Sequence, residues 1–231
     1  VTGAVLRVAE TFGPTFQGEG PSAGQLAAFV RLSGCAVRCS WCDEPQTWDW
    51  SRYDQGAESR PMTTGQVAAW ANDIPAELVV ITGGEPMAQQ RGLAELAAAL
   101  TDAGRRVEVE TSGTIMPVPV LASSVSAFNV SPKLASSLVP YERRIRPAAL
   151  AALAATGKAV FKFVACGTGD LDEVAELADR FGLAPVWIMP EGATEERVLA
   201  GMRDLADDVL RRGWNLTGRM HILLWGGARG R

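Results

Sequence analysis

Short runs of β-branched and aromatic residues alternate along this chain with longer alanine-rich stretches of helical period. Residues 27–32 (AAFVRL), 78–82 (LVVIT), 106–110 (RVEVE), 127–131 (AFNVS), 159–165 (AVFKFVA) and 186–189 read as strands. Between them, residues 64–73, 89–103, 147–155, 171–181 and 195–212 read as helices, with Thr63 or Thr64 opening the first and Gly104 closing the second. Residues 220–225 read as a final strand, and residues 49–62 as a polar excursion with neither period. The rhythm is that of βαβ units, hence a mainly parallel sheet, and the runs look apolar on both faces, as in a sheet covered by helices. About six βα units fall short of the eight of a closed barrel. The fold class expected is therefore α/β: an open, partial parallel β/α barrel in a single domain over residues 1–231. The polar motifs begin where strands end, which is where such folds place ligands.

Composition narrows the function classes. The chain is 47% hydrophobic and 21% charged, enough to bury a large core. A net charge of -4 argues against a general nucleic-acid binder, which needs a basic face. No apolar run approaches the length of a membrane span, and residues 1–14 show no basic stretch followed by an apolar one, so neither a membrane nor an export signal is expected.

The densest chemistry is Cys35-Ala36-Val37-Arg38-Cys39-Ser40-Trp41-Cys42, three of the four cysteines with spacing C-x3-C-x2-C. Three thiolates so close together are a metal site first, and three rather than four leave one coordination position open. A disulfide pair does not fit, because Cys166 is far along the chain; it follows an apolar strand and reads as a small core residue. Zinc with Cys166 or His221 as fourth ligand stays open, although no second ligand pair accompanies the first. Iron–sulfur is favoured, and exposed thiolates without disulfides imply a reducing cytoplasm.

Four further polar turns stand at or near strand ends. Ile81-Thr82-Gly83-Gly84-Glu85-Pro86 has two glycines for close backbone approach and a carboxylate for a cation. Glu110-Thr111-Ser112-Gly113-Thr114 and Ser131-Pro132-Lys133 would face the same ligand in a partial barrel. Thr15-Phe16-Gln17-Gly18-Glu19-Gly20 could read the donors of a heterocycle. Arg31, on an otherwise apolar strand, is either a paired structural charge or an anion receptor. His221 reads more simply as a core residue than as a ligand.

In this order the motifs resemble the 7-carboxy-7-deazaguanine synthases, a family of radical S-adenosylmethionine (SAM) enzymes. The matching stretches are TFQGEG at 15–20, FVRLSGC at 29–35, CxxxCxWCD at 35–43, TWDW at 47–50, VITGGEP at 80–86, VETSGT at 109–114, NVSPK at 129–133, FKFV at 161–164, WIMPEG at 187–192 and HILLWG at 221–226. The cysteine motif is shared across the superfamily; TFQGEG, TWDW and the C-terminal stretch narrow the resemblance. It implies a lyase in which Cys35, Cys39 and Cys42 hold a [4Fe-4S] cluster that cleaves SAM reductively to a 5'-deoxyadenosyl radical. The radical takes hydrogen from 6-carboxy-5,6,7,8-tetrahydropterin, the ring contracts with loss of ammonia, and SAM is regenerated. It also implies Mg2+, a homodimer, and an electron donor such as flavodoxin or ferredoxin. By position, Trp41, Gly84, Glu85, Ser112, Ser131 and Lys133 would approach SAM, while Gln17, Glu19 and Arg31 would bind the pterin, Arg31 through its carboxylate. The chain departs from the family at Glu44, where a magnesium-ligating threonine is common, at Gln46 for tyrosine, at Ala36-Val37 for Asn-Leu, and at Ser112 for asparagine. Glu44 is itself a hard oxygen ligand and is expected to take the Mg2+. Two other readings share part of these residues: another radical SAM enzyme, such as a glycyl-radical activase, and a zinc-stabilised module without catalysis.

Overall fold

The computed structural model describes residues 3–230. One sheet runs through them: β1 (Val5–Phe16), β2 (Leu26–Leu32), β3 (Arg60–Thr63), β4 (Leu78–Gly83), β5 (Arg106–Thr111), β6 (Ala127–Val130), β7 (Ala159–Ala165), β8 (Val186–Pro190) and β9 (Asn215–Leu216). Their spatial order is β3-β1-β2-β4-β5-β6-β7-β8-β9. From β2 onward neighbours run parallel, whereas β1 is antiparallel to both β2 and β3. The order does not close on itself, so the barrel is open and partial, as the strand rhythm implies. The helices are α1 (Gln55–Glu58), α2 (Thr64–Asp73), α3 (Gln90–Asp102), α4 (Pro119–Ser124), α5 (Tyr141–Arg144), α6 (Pro147–Ala155), α7 (Asp170–Phe181), α8 (Glu195–Arg211) and α9 (Met220–Trp225).

The six strands and five helices read from the sequence end within a residue of those observed. Local signals explain the agreement. Thr63 and Gln66 form a reciprocal capping box at the start of α2, and Thr194 caps α8 through its side chain. Three elements differ. β1 was not visible as a strand because polar residues, Gly13 and Pro14 interrupt its alternation, and its pairing with β2 shifts register twice. The polar excursion holds α1 and the edge strand β3, where Pro61 is tolerated because β3 pairs only with β1. Residues 220–225 form a helix, not a strand: a six-residue apolar run has no period that separates the two.

The strands are not apolar on both faces. On the outer face Val79, Ile81, Val107, Val109, Phe128, Val130, Phe161, Phe163 and Ile188 form a continuous core with the helices. On the inner face their neighbours are Arg31, Thr82, Glu110, Asn129, Lys162 and Met189, which line a cavity. The switch is the period of two of a pleated strand. Near β2 and β4 the inner face keeps a small apolar floor of Ala27, Phe29, Leu78 and Val80, with Phe12 stacked on Phe29 at 4.9 Å.

Candidate active site

The cavity opens at the carboxyl ends of the parallel strands, and Cys35, Cys39 and Cys42 all reach it from the loop after β2. That loop has no regular structure, and backbone bonds from three directions pin it. Gly34 donates to the Thr47 carbonyl at 2.7 Å, Glu85 N–H to the Gly34 carbonyl at 2.7 Å, and Ser40 N–H to the Ser137 carbonyl at 3.1 Å. Arg143 also donates to the Ala36 carbonyl. Gly83 and Gly84 are required here rather than against a ligand: a Cβ on Gly83 would strike the Leu32 backbone, and one on Gly84 the Gly34 carbonyl. Thr47-Trp48-Asp49-Trp50 braces the loop, Trp48 Nε1 donating to Cys42 Sγ at 3.3 Å.

All three cysteines are free and half-buried. Burial pushes the Cys39 thiol up to about 11 and raises Cys42 as well, so both are protonated thiols at neutral pH and release protons on binding metal. Among the described residues no three of His, Cys, Asp and Glu converge on one ion. The three thiols line one cavity with no fourth cysteine beside them, so they offer three thiolates and leave one position open, which fits a [4Fe-4S] cluster whose fourth iron takes a small molecule. Cys166 is exposed beyond β7 and does not line the cavity, so it is neither a core residue nor a fourth ligand.

Beside the thiols, Lys133 stands 5.6 Å over the Trp41 ring and donates to Ser131 Oγ at 2.9 Å. Trp41 Nε1 is buried without a hydrogen-bond partner. An orphaned donor, an ammonium with no carboxylate partner among the described residues, and the Ser112 and Ser131 hydroxyls fit the acceptors and carboxylate of SAM. Glu85 does not join them. Its carboxylate is buried and accepts from Met87 N–H at 3.0 Å, Thr111 Oγ1 at 2.8 Å, Ser112 N–H at 2.8 Å and Ser112 Oγ. It ties the turns after β4 and β5 together, and it is the Gly83-Gly84 backbone that faces the cavity.

Elsewhere the cavity carries a buried charge network, of which only Glu19 was a site residue expected from the sequence. Glu19 pairs with Lys162 and accepts from Arg219 Nε at 3.1 Å; His221 Nε2 lies 3.9 Å away. Burial alone would raise the Glu19 pKa, but Lys162 and Arg219 outweigh it and hold the carboxyl well below its usual range. Burial would likewise lower the Lys162 pKa, and Glu19 and Glu110 reverse that. His221 is kept below its ordinary value, chiefly by burial. It lies against Gly18, where any Cβ would strike its ring, and faces the cavity rather than the core. Glu110 accepts from Gln17 Nε2 at 3.0 Å and Thr82 Oγ1 at 2.8 Å. Lys162 carried the same signal as Arg31, a lone charge in an apolar strand. Arg219 precedes a short helix and had no local signal at all.

Comparison with known proteins decides the family. The radical SAM superfamily model matches residues 29–205. A 7-carboxy-7-deazaguanine synthase of Pyrobaculum aerophilum is 39% identical, covering 98% of this chain and 97% of its own.

This chain belongs to the radical SAM superfamily and, within it, to the 7-carboxy-7-deazaguanine synthases.

The synthase of Hyperthermus butylicus is 34% identical over 95% of this chain and 93% of its own. The crystal structure of QueE from Escherichia coli is similar at a TM-score of 0.72 and 26% identity, covering 94% of this chain and 95% of that one. The superfamily fold is shared more distantly with SuiB of Streptococcus suis bound to its precursor peptide SuiA, at a TM-score of 0.53, 12% identity and 80% of this chain.

The site departs from the family expectation at Glu44. One of its oxygens takes Arg31 Nη2 at 2.9 Å and the other takes Gln46 Nε2. Arg31 Nε also faces Glu10 at 3.4 Å. Asp43 next door is paired with Arg219. Each carboxylate beside the cluster loop thus already has a guanidinium, and Glu44, read from the sequence as a Mg2+ ligand, is here a partner of Arg31. Arg31, in turn, is not an open fork awaiting a substrate carboxylate.

Proposed function

We propose that this chain converts 6-carboxy-5,6,7,8-tetrahydropterin to 7-carboxy-7-deazaguanine by radical ring contraction with loss of ammonia. The observation that carries it is the buried Glu19–Lys162–Arg219 network lining the same cavity as the three cysteines. A carboxylate held ionised accepts hydrogen bonds and cannot donate them. With one oxygen on Lys162 and the other on Arg219, each still has a lone pair for the adjacent N–H and NH2 donors of a pterin's pyrimidine ring. Gln17 and Glu110 add a fixed donor–acceptor pair beside it, and neutral His221 a further polar contact.

Cys35, Cys39 and Cys42 would hold a [4Fe-4S] cluster, which with SAM would supply the reductive cleavage that starts the reaction. On the cluster side, Lys133 would take the SAM carboxylate, Ser112 and Ser131 its amino end, and Trp41 the adenine. The apolar floor of Phe12 and Phe29 lies under the pterin and excludes water. Arg31 meets the pterin carboxylate by exchanging Glu44 for it, which makes Glu44 a competitor for that site and removes the need for Mg2+. A one-electron donor such as flavodoxin or ferredoxin, and a reducing cytoplasm, complete the reading. A homodimer is also part of it: Phe16, stacked on Trp225 at 6.2 Å, and its strand partner Leu26 leave apolar surface exposed beside α9.

The test is anaerobic reconstitution followed by SAM, a reductant and the carboxypterin. Stoichiometric 7-carboxy-7-deazaguanine and ammonia are expected. Cleavage of SAM with the pterin unconsumed would overturn the assignment and favour another radical SAM reaction.

A further inference from the structure

Arg219 lies between β9 and α9, is 8% exposed, and directs its three nitrogens to three remote segments. Nε donates to Glu19 at 3.1 Å, in the turn after β1. Nη1 donates to the Gly192 carbonyl at 2.8 Å, after β8. Nη2 pairs with Asp43, the residue directly after Cys42. The guanidinium is rigid and planar, so three acceptors bound to it are fixed relative to one another; a lysine ammonium on a flexible stem would not do this. Asp43 itself is half-exposed and has no other charged partner among the described residues. Its place in the site is therefore to connect the cysteine loop to Arg219.

We propose that Arg219 is a positioning residue that sets the distance between the pterin-reading carboxylate of Glu19 and the cysteine loop through Asp43, and thereby couples SAM cleavage to pterin turnover. The inference rests on the pterin reading of the site. Because hydrogen transfer needs reacting atoms within about 3–3.5 Å, a misplacement of an ångström between the two suffices to separate cleavage from product. The tie itself takes no part in bond changes.

Two variants and one binding probe test this. Oxidised 6-carboxypterin lacks the hydrogen to be abstracted and reports binding alone, by calorimetry, on the reconstituted protein without SAM. Arg219→Gln should weaken its binding at least tenfold, since Glu19 loses a charge-assisted partner. Asp43→Asn should leave that binding within twofold. Both should raise 5'-deoxyadenosine released per product severalfold, a ratio independent of how much cluster is loaded. The double variant should uncouple no further than Arg219→Gln, because both act on one contact. If Arg219→Gln does not fold, Asp43→Asn decides. A wild-type ratio in Asp43→Asn, or additive uncoupling in the double variant, overturns the inference while leaving the pterin reading intact. A wild-type protein that neither binds carboxypterin nor forms product overturns the reading itself.

Discussion

The two faces of the same strands follow opposite rules. On β7, Phe161 and Phe163 point outward and are fully buried in the helix-covered core. Lys162 between them points inward, is almost as buried, and has Glu19 as its partner. The outer face needs apolar volume of about the right shape. The inner face needs a particular charge at a particular place, because a buried ion without its partner is strongly destabilising. One residue of register therefore separates what folds the chain from what gives it a function.

Substitutions on the two faces should separate these rules. Phe161→Ala should cost about 3–5 kcal/mol as a core cavity. Its signature is a lowered unfolding midpoint, with the ratio of product to 5'-deoxyadenosine unchanged in the folded fraction. A changed ratio would mean that the faces are not independent. Lys162→Met should cost about 3 kcal/mol by removing one of the two cations that hold the buried Glu19 carboxylate, and it should also abolish carboxypterin binding. Retained binding would place the recognition elsewhere in the cavity. Glu44→Gln is expected to act in the other direction. It frees Arg31 from one of its two carboxylates, so the pterin KM should fall severalfold, and activity in excess chelator should equal that without it. A raised KM, or dependence on Mg2+, would restore Glu44 as a metal ligand.

The smallest effect concerns His221, the single histidine of the chain. Burial lowers its pKa in the fold, so below about pH 6.5 the unfolded imidazole takes up a proton that the folded one does not. Stability should therefore fall as pH drops from about 6.5 toward the lowered folded value, then level off. His221→Gln should remove that slope. A histidine proton resonance titrating above 6.5 would contradict it.

The outer face was legible in the sequence, because continuous apolar runs and alanine-rich helices need no partner information. The cysteine loop and the strand-end turns were legible because their residue types are chemical and close together. The inner face was only half legible. Arg31 announced itself as a charge in an apolar strand, and Lys162 carried the same signal. What spacing could not show was pairing over distance: Glu19 with Arg219 spans 200 positions, and Arg219 with Asp43 spans 176. For the same reason Glu44 looked like a free metal ligand until its contact with Arg31 was seen. Glu85 looked like a cofactor ligand until its carboxylate was found saturated by the turn after β5. β1 escaped notice because past Val8 it pairs with β2 alone, and a strand open on one side tolerates polar residues, a glycine and a proline.

The most direct measurement is turnover by Glu19→Gln, which keeps the size of the side chain and removes its charge. The glutamine's amide can donate where the pterin also donates. With cluster content and SAM cleavage at wild-type levels, product should fall at least a hundredfold and 5'-deoxyadenosine should accumulate in its place. Formation of 7-carboxy-7-deazaguanine at the wild-type rate by this variant would contradict the claim that an ionised Glu19 on the inner face reads the substrate.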